Sequence, residues 1–172
     1  MARILNFGSL NLDQVYRVDA FVQPGETKSS LSLTTHCGGK GLNQSVAASR
    51  AGAEVWHAGM IGTDGDMLDQ KLRENGVNLS LLERSSGVSG HAIIQVDNSG
   101  QNCILLYGGT NQALTEAYID HALDAFGNEG LVLVQNETNL VGSIIKKAHK
   151  RGLMVALHAA PMDAKVFTYP LQ

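Results

Sequence analysis

The chain has 172 residues, 44% of them hydrophobic and 17% charged, with a net charge of −3. That is enough apolar matter for a packed core, so disorder is excluded as the default state. No broad basic surface invites nucleic acid or an anionic membrane, and no apolar run reaches the ~18–20 residues of a bilayer span. The start, MARILNFGSLNLD, lacks the apolar stretch of a secretory signal, which points to the cytoplasm, where Cys37 and Cys103 would stay reduced.

Arg3–Gly8 reads as a short buried strand, followed by Asn11-Leu12-Asp13. Val15–Val18 and Ser29–Thr35 are strand candidates separated by the turn signal Pro24-Gly25, and Leu31 and Leu33 alternate with polar residues. Gly38-Gly39-Lys40-Gly41 breaks the second of these, and Leu42–Ala51 reads as a helix with Leu42, Val46 and Ala47 on one face and Gly52 as its cap. Glu54–Ile61 is a core strand. Asp66–Asn75 is an amphipathic helix with Met67, Leu68 and Leu72 inward, and Val77–Leu82 is a further strand candidate. His91–Val96 and Cys103–Tyr107 flank five turn-forming residues and read as a hairpin. Thr115 is placed to cap a helix to Phe126. Leu131–Gln135 is a strand, Leu140–Arg151 a helix and Met154–Leu157 a strand. Apolar strands alternating with helices predict an α/β fold, a doubly wound and mostly parallel sheet buried on both faces, while the alternating segments predict a small appended β-sheet.

Candidate site residues collect where open α/β sheets gather ligands, beyond the carboxyl ends of strands. Asn11 and Asp13 follow the first strand; an amide and a carboxylate there suit hydroxyl groups, and a turn or cap pair accounts for them equally well. Glu137 follows Leu131–Gln135 and is either a pocket residue or the cap of the helix near Leu140. The glycines at 38, 39 and 41 permit close backbone approach at a helix start, a corner able to take hydroxyls or an anion. The run is neither a Walker loop nor a dinucleotide turn, since Lys40 is followed by Gly41. The six histidines show no metalloprotease spacing, so packing or surface roles are expected of them.

The run GGKGLNQSVAASRAG, Gly38–Gly52, with Gly62 beyond it, resembles the first signature of the ribokinase family, the phosphofructokinase-B type of carbohydrate kinases. Gly8-Ser9-Leu10-Asn11-Leu12-Asp13, Pro24-Gly25-Glu26-Thr27, Gly62-Thr63-Asp64, Gly108–Thr115 and Gln135-Asn136-Glu137 are similar to further family elements in the same order. The resemblance implies a ribokinase-like Rossmann sandwich spanning 1–172 as the N-terminal part of one domain, its lid strands within 14–36 and 90–108. It implies an ATP- and Mg²⁺-dependent transfer of the γ-phosphoryl to a sugar hydroxyl. Asn11, Asp13, Asn43 and Glu137 would bind the sugar, Gly38 and Gly39 would hinge the lid and touch the sugar through backbone, and Lys40, matching the family's Lys between the glycines, would join the substrate-binding set. Two departures stand out: Met67 where a glycine is usual, and His158 where Asn-x-x-Pro would carry its Asn. The family's Asn-x-x-Glu and Gly-Ala-Gly-Asp motifs, the latter bearing the catalytic base, do not occur in the 172 residues. The base is thus expected past Gln172 and this stretch alone is expected to be inactive. Alternative readings are a non-catalytic sugar-binding module, one that dimerises through its lid strands, and a nucleoside kinase of the same family.

Overall fold

The computed structural model describes residues 2–171; Met1 and Gln172 lie outside it. A five-stranded parallel sheet runs in the order β5-β4-β1-β8-β9, from β1 (Arg3–Phe7), β4 (Glu54–Ile61), β5 (Leu82–Arg84), β8 (Leu131–Gln135) and β9 (Met154–His158). The apolar strands bury both faces. Helices α1 (Lys40–Arg50) and α2 (Asp66–Glu74) cover one side, where Leu42, Val46, Leu68 and Leu72 meet Val55 and Ile61. Helices α3 (Glu116–Phe126) and α4 (Val141–Lys150) cover the other, packing Ile119, Leu123 and Ile144 on Leu5, Phe7 and Val132. Each such fully buried side chain contributes about 1.5–3 kcal/mol. Thr115 caps α3 by accepting the Tyr118 amide proton at 3.1 Å.

A second, four-stranded sheet runs β3-β2-β6-β7, from β2 (Asn11–Arg17), β3 (Ser32–Gly38), β6 (Gly90–Val96) and β7 (Asn102–Tyr107). β6 and β7 form the expected antiparallel hairpin; β2 pairs with β6 in parallel. The register puts Asp13, His36, Ala92 and Leu106 in one cross-strand row, and Val15, Thr34, Ile94 and Ile104 in the next.

Several sequence expectations are corrected. β2 starts at Asn11 and β3 reaches Gly38, because pairing with neighbouring strands overrides the poor strand propensity of Asn, Asp and Gly. Val77–Leu82 is not a strand: Asn78 makes one bridge to Trp56, and pairing with β4 starts only at Leu82. Met67 points outward, 47% exposed, and Ala47 is exposed, each lying one residue beside the buried stripe. Nor is one face of the second sheet fully covered, since Leu31, Leu33 and all of β7 are exposed.

Candidate functional site

β1 is the point where the chain turns both ways, toward β4 on one side and β8 on the other. Ligands in open parallel sheets sit beyond such a switch. Here three residues, Gly8–Leu10, carry the chain from β1 into β2, and Gly39 alone carries it from β3 into α1. Gly39 adopts φ 92°, a conformation favoured only for glycine, and a Cβ on it would press on the Ser9 carbonyl at 2.8 Å. Gly41 packs still closer: a Cβ there would lie 2.3 Å from the Ser9 nitrogen.

This closeness lets two side chains cap α1. The Lys40 amide donates to Glu137 Oε2 at 3.0 Å, the Gly41 amide to Ser9 Oγ at 3.2 Å and the Leu42 amide to the Ser9 carbonyl at 2.9 Å. Ser9 Oγ donates in turn to Glu137 Oε2 at 2.5 Å, and Lys40 Nζ pairs with Glu137 Oε1 at 2.7 Å. Glu137 therefore caps α1 rather than the helix that follows it, whose N-cap Leu140 has no side-chain bond. The electropositive helix start is already occupied by this carboxylate, so the corner is not an open anion site.

A cavity of about 240 Å³ opens in front of that cap, lined by Asn11, Asp13, Gly39, Lys40, Asn43 and Glu137 together with Ala92, Ile94, Ile104 and Leu106. Six of the seven residues singled out in the sequence thus share one cavity. The seventh, Gly38, is buried and does not line it; a Cβ on it would fall 1.9 Å from Asp13 Oδ2. Asp13 has no hydrogen-bond partner among the described residues. Burial first, then the nearby Glu137 charge, hold its pKa above the ordinary carboxylate range, against the opposing pull of His36 and Lys40. Asn11 Oδ1 accepts from Asn111 Nδ2 at 2.8 Å, which leaves its amide N–H groups for the cavity.

Asn111 and Ser9 went unassigned in the sequence. Asn111 also exchanges two bonds with the Leu10 backbone, fastening the connection between the sheets from a turn far along the chain. Ala92, Ile94 and Leu106 were recoverable from the period of two in the hairpin, which turns alternate residues to one face. A second cavity of about 230 Å³ adjoins, sharing Asn11, Leu106 and Glu137 and extending to Asn136, Asp163 and Lys165.

The family described as pfkB family carbohydrate kinase matches residues 1–171. The chain is 36% identical over 170 residues to a bifunctional ribokinase/ribose-5-phosphate isomerase A of Fructilactobacillus sanfranciscensis, covering 94% of this chain and 31% of the relative. It is 35% identical over 159 residues to the ribokinase of Haemophilus influenzae, covering 90% and 52%. Among solved structures, the Cryptococcus neoformans ribokinase in complex with ADP superposes with a TM-score of 0.81 at 34% identity, covering 96% of this chain and 52% of that one. The chain thus spans about half the length of a typical ribokinase relative. On the matched family, the shared fold and the order of its motifs, the chain belongs to the pfkB family of carbohydrate kinases.

Proposed function

We propose that the cavity binds a sugar of ribose type and that the chain supplies the acceptor side of an ATP-dependent carbohydrate kinase. The observation that carries this reading is the convergence of Asn11, Asp13, Asn43 and Glu137 on one cavity of about 240 Å³. A polyol needs donors and acceptors around its rim and an apolar cover for its C–H faces. The Asp13 carboxylate accepts from hydroxyls, the amides of Asn11 and Asn43 donate and accept, and Ala92, Ile94, Ile104 and Leu106 exclude water. A charged acceptor that must be desolvated anyway gains most from a hydroxyl partner.

In this reading the second sheet is a lid. It joins the core at Gly8–Leu10 and at Gly38–Gly39, where small residues allow backbone torsion. Closure brings the apolar rows of β6 and β7 over the sugar and sequesters it from water, which favours phosphoryl transfer over hydrolysis.

ATP would supply the phosphoryl group, in keeping with the ADP held by the Cryptococcus relative. Among the described residues no three His, Cys, Asp or Glu side chains converge as a metal site. The base motif implied by the family resemblance is absent from these residues, so the chain by itself binds sugar without turning it over. Calorimetry with ribose, other pentoses, hexoses and a nucleoside tests binding by this chain. ATP-dependent phosphorylation of the same panel by the whole gene product tests the chemistry. No heat with any of them from folded protein would sink the sugar pocket, and preference for the nucleoside would reassign the acceptor within the family.

A second reading, pairing of two copies through the lid, rests on β7. It is an edge strand whose Ile104, Leu105, Leu106 and Tyr107 are 47–69% exposed, a surface that normal edge strands avoid. Sedimentation equilibrium decides it: a monomer at tens of micromolar removes this reading. No helix among the described residues is long and apolar enough to cross a membrane.

A further inference from the structure

A seam of polar side chains crosses the apolar interior directly beneath the glycine corner. Asn6, Ser45, His57 and Gln135 are all 0% exposed and come from β1, α1, β4 and β8. Asn6 Nδ2 donates to Ser45 Oγ and to the Gly41 carbonyl, both at 2.8 Å. Gln135 Nε2 donates to Asn6 Oδ1 at 2.8 Å and to Gln44 Oε1 at 2.7 Å, and Gln44 Nε2 reaches His158 Nδ1 at 2.8 Å. At the other end, His57 Nε2 lies 3.1 Å from the Gly8 carbonyl and His57 Nδ1 lies 2.8 Å from Ser45 Oγ.

The protons can be placed by elimination. The Gly8 carbonyl can only accept, so Nε2 of His57 carries a hydrogen. A neutral imidazole then has a bare Nδ1, and that nitrogen takes the Ser45 hydroxyl proton. The seam therefore grips two backbone carbonyls, Gly8 on the β1–β2 corner and Gly41 on the first turn of α1. These are the two segments whose separation sets the Ser9–Lys40–Glu137 cap. Their contact is tight: a Cβ on Gly8 would stand 2.5 Å from the Gly41 Cα and 2.9 Å from Gln135 Oε1. Apolar packing alone tolerates sliding of a helix over a sheet, whereas directed bonds to both carbonyls fix one register.

We propose that Ser45 and His57 are positioning residues of the candidate site: touching no ligand, they hold the Gly8–Ser9 corner at the height where Ser9 and Glu137 cap α1. The proposal rests on the sugar-pocket reading for its functional consequence but has a readout that does not.

That readout is amide hydrogen exchange on the 172-residue chain. In Ser45→Ala and His57→Phe, the amides of Lys40, Gly41 and Leu42 should exchange at least about tenfold faster, while those of β8 and α4 keep their wild-type protection. His57→Gln, which places an amide nitrogen near the position of Nε2, should recover most of the protection. In parallel, D-ribose affinity measured by calorimetry should fall about tenfold in Ser45→Ala and His57→Phe and less in His57→Gln. Protection lost evenly across the chain, protection unchanged at the corner, or a His57→Gln variant no better than His57→Phe would each overturn the proposal. Failure of the wild-type chain to bind ribose would instead remove the sugar-pocket reading, leaving the exchange data to decide the seam.

Discussion

Gly38 and Asp13 exclude each other's growth: a Cβ built on Gly38 falls 1.9 Å from Asp13 Oδ2 and 2.5 Å from its Cγ. The two residues sit on neighbouring strands, and the missing side chain of one makes the seat of the other. Gly38→Ala should push the carboxylate out of the cavity, cost about 1–3 kcal/mol of stability by overpacking, and weaken ribose binding at least about tenfold. Gly25→Ala is the matched control. Gly25 also has a glycine-favouring φ of +81° but nothing within 4 Å of its Cβ position, so stability should drop modestly with ribose affinity unchanged. Melting curves with calorimetry check both.

Asp13 should trade stability for binding. Its pKa is raised, chiefly by burial, so the folded chain favours its protonated form. For a raised pKa, the stabilising contribution is complete below the unfolded value and is lost as pH rises through the folded one. At pH 7 the ionised carboxylate is thus a net liability, eased in part by His36 and Lys40, that hydroxyl donors of a ligand would relieve further. Asp13→Asn should melt higher than the wild type at pH 7, with the advantage shrinking as pH falls through the carboxylate range, and should bind ribose about ten- to a hundredfold more weakly. A variant that melts lower at pH 7 would contradict the assignment.

The cap on α1 predicts coupling. The Glu137 side chain is 6% exposed and holds Ser9, the Lys40 amide and the Lys40 ammonium, the last 38% exposed. Glu137→Gln should destabilise by about 1–3 kcal/mol, since an amide group cannot accept all three. Lys40→Met should cost less, because its ammonium retains water. A double-mutant cycle measured by urea unfolding should give a coupling energy on the order of 1 kcal/mol. Strict additivity would show that the ion pair does nothing for the cap.

Acid should act through His57. Burial lowers its pKa from 6.5 to about 4, offset in part by its bond to Gly8. Between these values the unfolded chain binds the proton and the folded chain does not, so stability is complete above pH 6.5 and falls as pH drops toward 4. The full loss is about 3 kcal/mol at 1.36 kcal/mol per pH unit. His57→Gln lacks this titration. Its urea midpoint should decline less than that of the wild type between pH 7 and about pH 4.5, other acidic groups being common to both.

The sequence was most informative where one force dominates. β4 and β8 were delimited correctly because unbroken apolar runs have no other place than a sheet covered on both faces. The limits of β2 and β3 were misplaced because Asn11, Asp13 and Gly38 pair with neighbours that are remote in the chain, and local propensity is blind to such pairing. Asn11, Asp13 and Glu137 were visible as polar groups just past strands. Ser9 and Asn111 were not, since they serve by fastening other residues. His57 sat inside an apolar run with a packing or surface role expected of it; its two partners, Ser45 and the Gly8 carbonyl, become visible only once α1 lies on the sheet.

The cavity wall also has an order along the chain. Its earliest lining residue is Asn11 and its latest is Glu137. α4 and β9 contribute nothing to it, so this wall of the cavity is synthesised before they are. A nascent chain long enough to expose Glu137 carries every residue that lines this cavity among those described. If the cavity takes the proposed sugar, that sugar, present during synthesis, would favour the native union of the two sheets and act as a template for folding.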